Sequence, residues 1–194
     1  MEKSLARFLR YQRSNGHAPK TLTHYEGNIR LFIQWLKDNG RSTDIDDLDV
    51  DTVREWLEDM RNRDLSPSTI ATRVRALKAF TNWLHTEEWI RKNPLKRLKI
   101  PKERTDPKET FTLEEVDRLL NQCDRRLHNG LRDYALIMLL YSTGLRATEA
   151  VELRVSDIDY QRGLINVRRG KGGKARLVPL GTKVEKAIDK VSCP

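Results

Sequence analysis

Three side chains in the second half of this 194-residue sequence have the types and spacing for chemistry on a phosphate. In Tyr141-Ser-Thr-Gly-Leu-Arg-Ala-Thr-Glu149 an arginine follows Gly-Leu directly after an apolar run, and a glutamate stands three residues beyond it. If Gly144 closes the preceding helix in a left-handed cap, Arg146 begins the next one, where free N–H groups already attract anions. A planar guanidinium there makes an oxyanion clamp, and Glu149 at i+3 can hold it by hydrogen bonds. Arg–Glu pairs at this spacing are also ordinary surface salt bridges. The third residue is Lys171, in Arg168-Arg-Gly-Lys-Gly-Gly-Lys174. A lysine at the tip of a glycine-rich hairpin can swing into a neighbouring site as proton donor to a leaving oxygen, although the same residues also make a plain turn.

Other chemistries find less support. No GxxxxGK[ST] stretch occurs, and Gly170-x-Gly172-x-x-Ala175 lies between two expected strands rather than before a helix, so nucleotide binding is disfavoured. The two cysteines, Cys123 and Cys193, have neither CxxC nor Cys/His spacing, which suggests neither a zinc site nor a disulfide framework. No apolar run is long enough to span a bilayer, and the first residues lack the apolar core of a secretory signal. The expectation is a cytoplasmic chain with no membrane contact.

The charge is uneven. Residues 1–60 hold 9 Lys/Arg against 11 Asp/Glu, residues 61–110 hold 13 against 6, and residues 111–194 hold 15 against 11. A basic excess centred on the middle is the footprint of a polyanion-binding surface. It also fits a basic solvated surface with no partner.

Positioning these residues requires two kinds of structure. The first part reads as helices: residues 2–14, a second over KTLTHYEGNIRLFIQWLKD with Leu22, Tyr25, Ile29, Phe32, Ile33 and Leu36 on one face, and a third over VDTVREWLEDMR capped by Asp49. The fourth begins at Ser66-Pro67 and buries Ile70, Val74, Leu77, Phe80 and Leu84. Its other side gathers Ser68, Thr72, Arg73, Arg75 and Lys78, hydroxyls and cations suited to a helix in a major groove, or to a plain solvated face. From Trp89 to Thr110 the chain is basic and interrupted by Pro94, Pro101 and Pro107, which reads as an extended strap able to follow a phosphate backbone. Beyond it lie a helix opened by a Thr112/Glu115 capping box and a buried central helix ending at Gly144. Three short antiparallel strands (VSDIDY, LINVR, ARLVPL) and a helix from Thr182 complete the chain.

In order and separation, FTLEEVDRLL followed by YSTGLRATEAVELRVSDIDYQRGLINVRRGKGGKARLVPL resembles the tyrosine recombinase (phage integrase, Xer-type) family, closely from Phe111 to Leu180 and loosely over residues 1–98. The resemblance implies a multidomain α and α+β chain. Residues 1–98 would be an all-helical, SAM-like core-binding bundle, 99–109 a basic linker, and 110–194 the first part of an α+β catalytic domain with a three-stranded antiparallel sheet. In the family a tyrosine attacks a DNA phosphate, leaving a 3′-phosphotyrosyl link and a free 5′-hydroxyl. Arg146 matches the arginine on the non-bridging oxygens, Glu149 the supporting acid and Lys171 the proton donor, a scheme with no cofactor and no metal. The implied partner is double-stranded DNA, gripped by both domains, with other protomers joining in a tetramer on paired sites. Lys20, Thr21, Ser68, Thr72, Arg73, Arg75, Lys78, Lys99, Lys102, Arg104, Lys174 and Arg176 are the expected DNA-facing residues. The sequence departs from the family after Leu180: it has no His-x-x-Arg box, and its last tyrosine is Tyr160. The expectation is therefore a C-terminally truncated recombinase, inactive alone. The alternatives are a naturally shortened relative that occupies recombination sites, and a helix-rich transcription regulator unrelated to the family.

Overall fold

Helix caps and apolar spacing organise residues 1–100. In the computed structural model, which describes residues 1–100, 109–168 and 174–192, four helices come first: α1 Glu2–Ser14, α2 Pro19–Asp38, α3 Val50–Asn62 and α4 Pro67–Thr86. Asp49 caps α3 by accepting the Thr52 amide at 2.6 Å, and Ser66 caps α4 by accepting that of Thr69 at 3.2 Å. The apolar faces expected of α2, α3 and α4 turn inward together. Phe8, Phe32, Phe80, Ile29, Leu77 and Leu84 are wholly buried, and Phe8 sits edge-on to Phe80 at 5.5 Å.

The basic run after α4 is not an extended strap from its start. Ile90, Leu95 and Leu98 are buried in the same core, and the backbone from Trp89 to Leu98 folds in turns. Apolar residues spaced through the basic run are why: each leaves water by folding back on the bundle.

The chain divides into two compact units, Met1–Pro107 and Lys108–Pro194. The second unit is built from α5 Leu113–Asn121, α6 His128–Thr143, α7 Ala147–Val151, strands β1 Ile158–Asp159, β2 Leu164–Val167 and β3 Arg176–Pro179, and α8 Thr182–Ser192. Thr112 and Glu115 form the expected reciprocal capping box, with distances of 2.8 and 3.3 Å. The sheet is antiparallel in the order β1-β2-β3, with Ile158 opposite Ile165 and Val167 opposite Arg176. Ile165, Val167, Val178 and Leu180 pack with Leu139, Leu145 and Val184 to form this unit's core.

Two expectations are corrected here. VSDIDY is a strand only at Ile158–Asp159; Val155–Asp157 makes a 3-10 turn instead. The Asp157 carboxylate accepts the Arg154 amide at 3.1 Å, a local bond that competes with ladder pairing. Nor is α6 buried all round. Ala135 and Leu139 are buried, whereas Leu136 and Tyr141 are exposed. Among the described residues, no helix is long and apolar enough to cross a membrane.

Candidate functional site

Gly144 ends α6 in the left-handed conformation, φ 62°, and its amide bonds the Leu140 carbonyl at 3.1 Å. The turn sends Leu145 into the core and Arg146 outward, with extended backbone at φ −70° and ψ 150°. Arg146 is thus the residue before α7 rather than its first. Since α7 has only five residues, the anchoring of Arg146 comes from side chains and not from a helix dipole.

That anchor is Glu149. Its side chain is 4% exposed, while that of Arg146 is 55% exposed. The Glu149 Oε1 atom accepts Arg146 Nη1 at 2.9 Å, and Oε2 accepts the Arg146 backbone amide at 2.9 Å. Arg176, reaching from β3, donates Nη1 to Oε1 at 2.8 Å and Nη2 to Oε2 at 2.7 Å. The carboxylate therefore takes a bidentate fork from one arginine and two bonds from the other. The Arg176 side chain, followed by the Arg146 amide, holds the Glu149 carboxyl far below its ordinary range, and Glu149 in turn raises the Arg176 guanidinium. Two cations share one buried anion, so the cluster keeps an excess positive charge and shows it to solvent through Arg146.

Arg176 was expected to face DNA; the structure sets its guanidinium against Glu149. The sequence held a signal for this. In Arg176-Leu-Val-Pro, period two puts Arg176 on the side of buried Val178, and an inward arginine needs a carboxylate. A second buried acid, Asp157, is held in a similar way. Arg168 donates Nε to Asp157 and Nη2 to Ser156 Oγ, the latter at 3.1 Å, which ties the end of β2 to the 3-10 turn. Glu149, Arg154, Asp157, Asn166 and Arg168 line a cleft of about 500 Å³ beside the cluster. Sequence reading did not single out Asp157 or Arg168, whose pairing spans the sheet and has no local period.

Lys171, Lys102 and Arg104 lie outside the described residues. Lys174 and Lys99 are exposed. In the first unit, Ser68 and Arg75 are exposed on α4, Thr72 and Arg73 are half-buried beside them, and Lys20 and Thr21 occupy the first turn of α2. Burial, and then the like charge of Arg63, push the Arg73 guanidinium down from its ordinary value. Lys78 differs from its neighbours: its ammonium donates to the Leu98 carbonyl at 2.7 Å and ties α4 to the chain leaving the bundle.

Comparison with known proteins matches both units. Residues 5–88 match the phage integrase N-terminal SAM-like domain, and residues 109–192 match the phage integrase family. Tyrosine recombinase XerC of Oceanobacillus iheyensis is 32% identical over 97% of this chain and 62% of its own length. Tyrosine recombinase XerD of Listeria innocua is 31% identical over 86% of this chain and 56% of its own. The chain thus spans about three fifths of the length of these curated relatives. Among solved structures, the Tn1549 transposon integrase in complex with circular intermediate DNA superimposes with a TM-score of 0.72 at 26% identity, covering 97% of this chain and 64% of that one. A lambda integrase dimer bound to a core site shares the fold, with a TM-score of 0.74 at 21% identity over 98% of this chain and 68% of that one. With its helical SAM-like unit, its three-stranded antiparallel sheet and its Arg146–Glu149 pair in the expected order, the chain belongs to the phage integrase family of tyrosine recombinases.

Proposed function

We propose that this chain is the DNA-gripping part of a site-specific tyrosine recombinase, with Arg146 holding the non-bridging oxygens of a DNA phosphodiester. The observation that carries this reading is the Glu149 anchor: a buried carboxylate fixes an arginine by two bonds yet leaves its side chain 55% exposed. A cation held in advance where phosphoryl charge develops stabilises that charge without reorganising. Arg73 and Arg75 on α4, neither of them in an ion pair among the described residues, and Lys20 at the start of α2 supply backbone contacts in the first unit. Lys171 is the donor to the leaving 5′-oxygen by its place in the motif, and in the intact protein further protomers assemble on paired sites.

Titrating labelled duplex DNA with the purified chain at several salt concentrations tests the reading. We expect binding that weakens steeply with salt, with a slope of about −0.9 per phosphate contacted. Affinity no better than that of a neutral protein at low salt would sink it.

A second reading is a shortened relative that occupies recombination sites without chemistry. Within these 194 residues all four histidines precede Arg146 and the last tyrosine is Tyr160. Reading the source gene beyond the codon for Pro194 separates the two. A frame continuing into His-x-x-Arg and a tyrosine supports the recombinase, and an immediate stop supports the competitor.

A further inference from the structure

Among the described residues, most arginines of the second unit are set against a carboxylate. Arg126 faces Asp124, Arg132 faces Asp133, Arg146 and Arg176 share Glu149, Arg162 faces Asp159 and Arg168 faces Asp157. Four other cations behave differently and converge. Arg125, Lys183, Lys186 and Lys190 line a groove between α6 and α8 and form no ion pair among the described residues. The three lysines stand at i, i+3 and i+7, one line along α8 about 10 Å long at the rise of a helix. Between the cations the floor is apolar: Leu131 and Tyr134 come from α6, and buried Ala187 from α8. Arg125 lies over the Tyr134 ring at 5.0 Å. Two adjoining volumes of about 190 and 640 Å³, both bordered by Arg125, Leu131 and Lys190, make up the groove. Its one lining acid, Asp189, lies close enough to Tyr160 to reinforce the burial that pushes that hydroxyl's pKa up.

We propose that this groove docks an acidic amphipathic helix of a partner protein. Carboxylates repeating every three to four residues along one side of such a helix would meet the lysine line, and apolar residues between them would cover Leu131, Tyr134 and Ala187. Duplex phosphates would answer the charge and leave the floor wet, since a backbone of phosphates and sugars has little to place there. The acidic helix α3 of a second copy fits less well, since it points Val53, Trp56, Leu57 and Met60 into its own core. Helix α5 of a second copy exposes Leu113 and Leu119 beside Glu114 and Asp117, so self-association of the chain that is lost in the lysine variant would overturn the proposal in favour of that occupant.

The test uses the full chain and a labelled, acetylated peptide helix with leucine and glutamate on one face, a scrambled peptide of the same composition, and duplex DNA in parallel. Fluorescence anisotropy should show saturable binding of the patterned peptide, weaker binding of the scrambled one, and a loss of about tenfold or more in K183E/K186E/K190E, from three cooperating ion pairs. All three lysines are exposed, so circular dichroism should not change; K183Q/K186Q/K190Q serves if the reversal disturbs folding. Equal binding to the variant, or equal binding of the scrambled peptide, overturns the proposal. So does a loss of DNA affinity in the variant with no peptide binding, which would assign the groove to phosphates. None of these residues touches the Arg146 cluster, so the DNA reading of that site stands or falls separately.

Discussion

At the scale of single residues the site turns on how one carboxylate is shared. Arg146→Ala removes the exposed cation and should cost about tenfold or more in duplex affinity, the magnitude of a charge-assisted contact, while reducing the salt slope by about 1. Arg176→Lys should weaken binding nearly as much as Arg176→Ala even though it keeps the charge, because an ammonium cannot offer the fork that holds both Glu149 oxygens. Full retention of affinity in Arg176→Lys would show that Arg146 is oriented without it. The pH dependence follows from the depressed Glu149 carboxyl. A group whose folded pKa lies below its unfolded value stabilises the fold above the unfolded value, about 4.3 for glutamate, and that contribution is lost as pH falls toward the folded value. The wild type should therefore exceed Glu149→Gln in urea stability at neutral pH by a margin that is constant down to about pH 5 and shrinks below it; a constant margin at every pH would contradict the pairing. The Arg146–Glu149 pair was legible in the sequence because i+3 spacing is local. For the second arginine only the inward direction was legible, from the period of β3; which carboxylate it meets was not, since Glu149 lies 27 positions away on α7.

Elements were legible where the signal is periodic or capped. Asp49, Ser66 and Thr112 open their helices as their positions suggest, and α2, α3 and α4 bury the faces their spacing marks. Errors arose where a competing interaction won: Asp157 draws VSDIDY into a turn, and apolar residues pull the start of the basic strap into the bundle. The turn at Gly144 does the most for the site, since it alone sends Leu145 inward and Arg146 outward. A methyl group at Gly144 would meet no atom within 4 Å, so the whole cost of Gly144→Ala is the left-handed backbone. That cost is about 1 kcal/mol, to be read as a lower urea midpoint of the second unit together with weaker DNA binding. Gly130 differs in kind, because an added Cβ would fall 2.0 Å from the Asp124 carbonyl oxygen. Gly130→Ala should therefore destabilise the second unit more than Gly144→Ala does; the reverse order would mean that the turn before α6 relaxes freely.

For the whole molecule, the two units differ in how much core each possesses. Among the described residues, twenty-one buried side chains form the first unit's cluster and eight form the second's. Large exposed apolar residues are distributed the other way: Phe111, Leu113, Leu127, Val151 and Leu177 all belong to the second unit, and each is at least 61% exposed. Hydrophobic burial is the main favourable term in folding, so the second unit should unfold first. The sequence supplies a probe for this. All four tryptophans, Trp35, Trp56, Trp83 and Trp89, fall in the first unit, so their fluorescence reports on that unit alone, while far-ultraviolet circular dichroism reports on both. In urea the circular dichroism should begin to fall at lower concentration than the tryptophan signal, with the lag growing in Gly144→Ala and disappearing when residues 1–98 are studied alone. Limited proteolysis should cut first within residues 99–109, where the charge is high and the apolar spacing that draws the preceding segment into the bundle ends. Coincident transitions in the wild type would mean that the units fold as one cooperative body. A mutation in the Arg146 cluster would then destabilise α4 as well, and the two contacts with DNA proposed for the two units could no longer be tested separately.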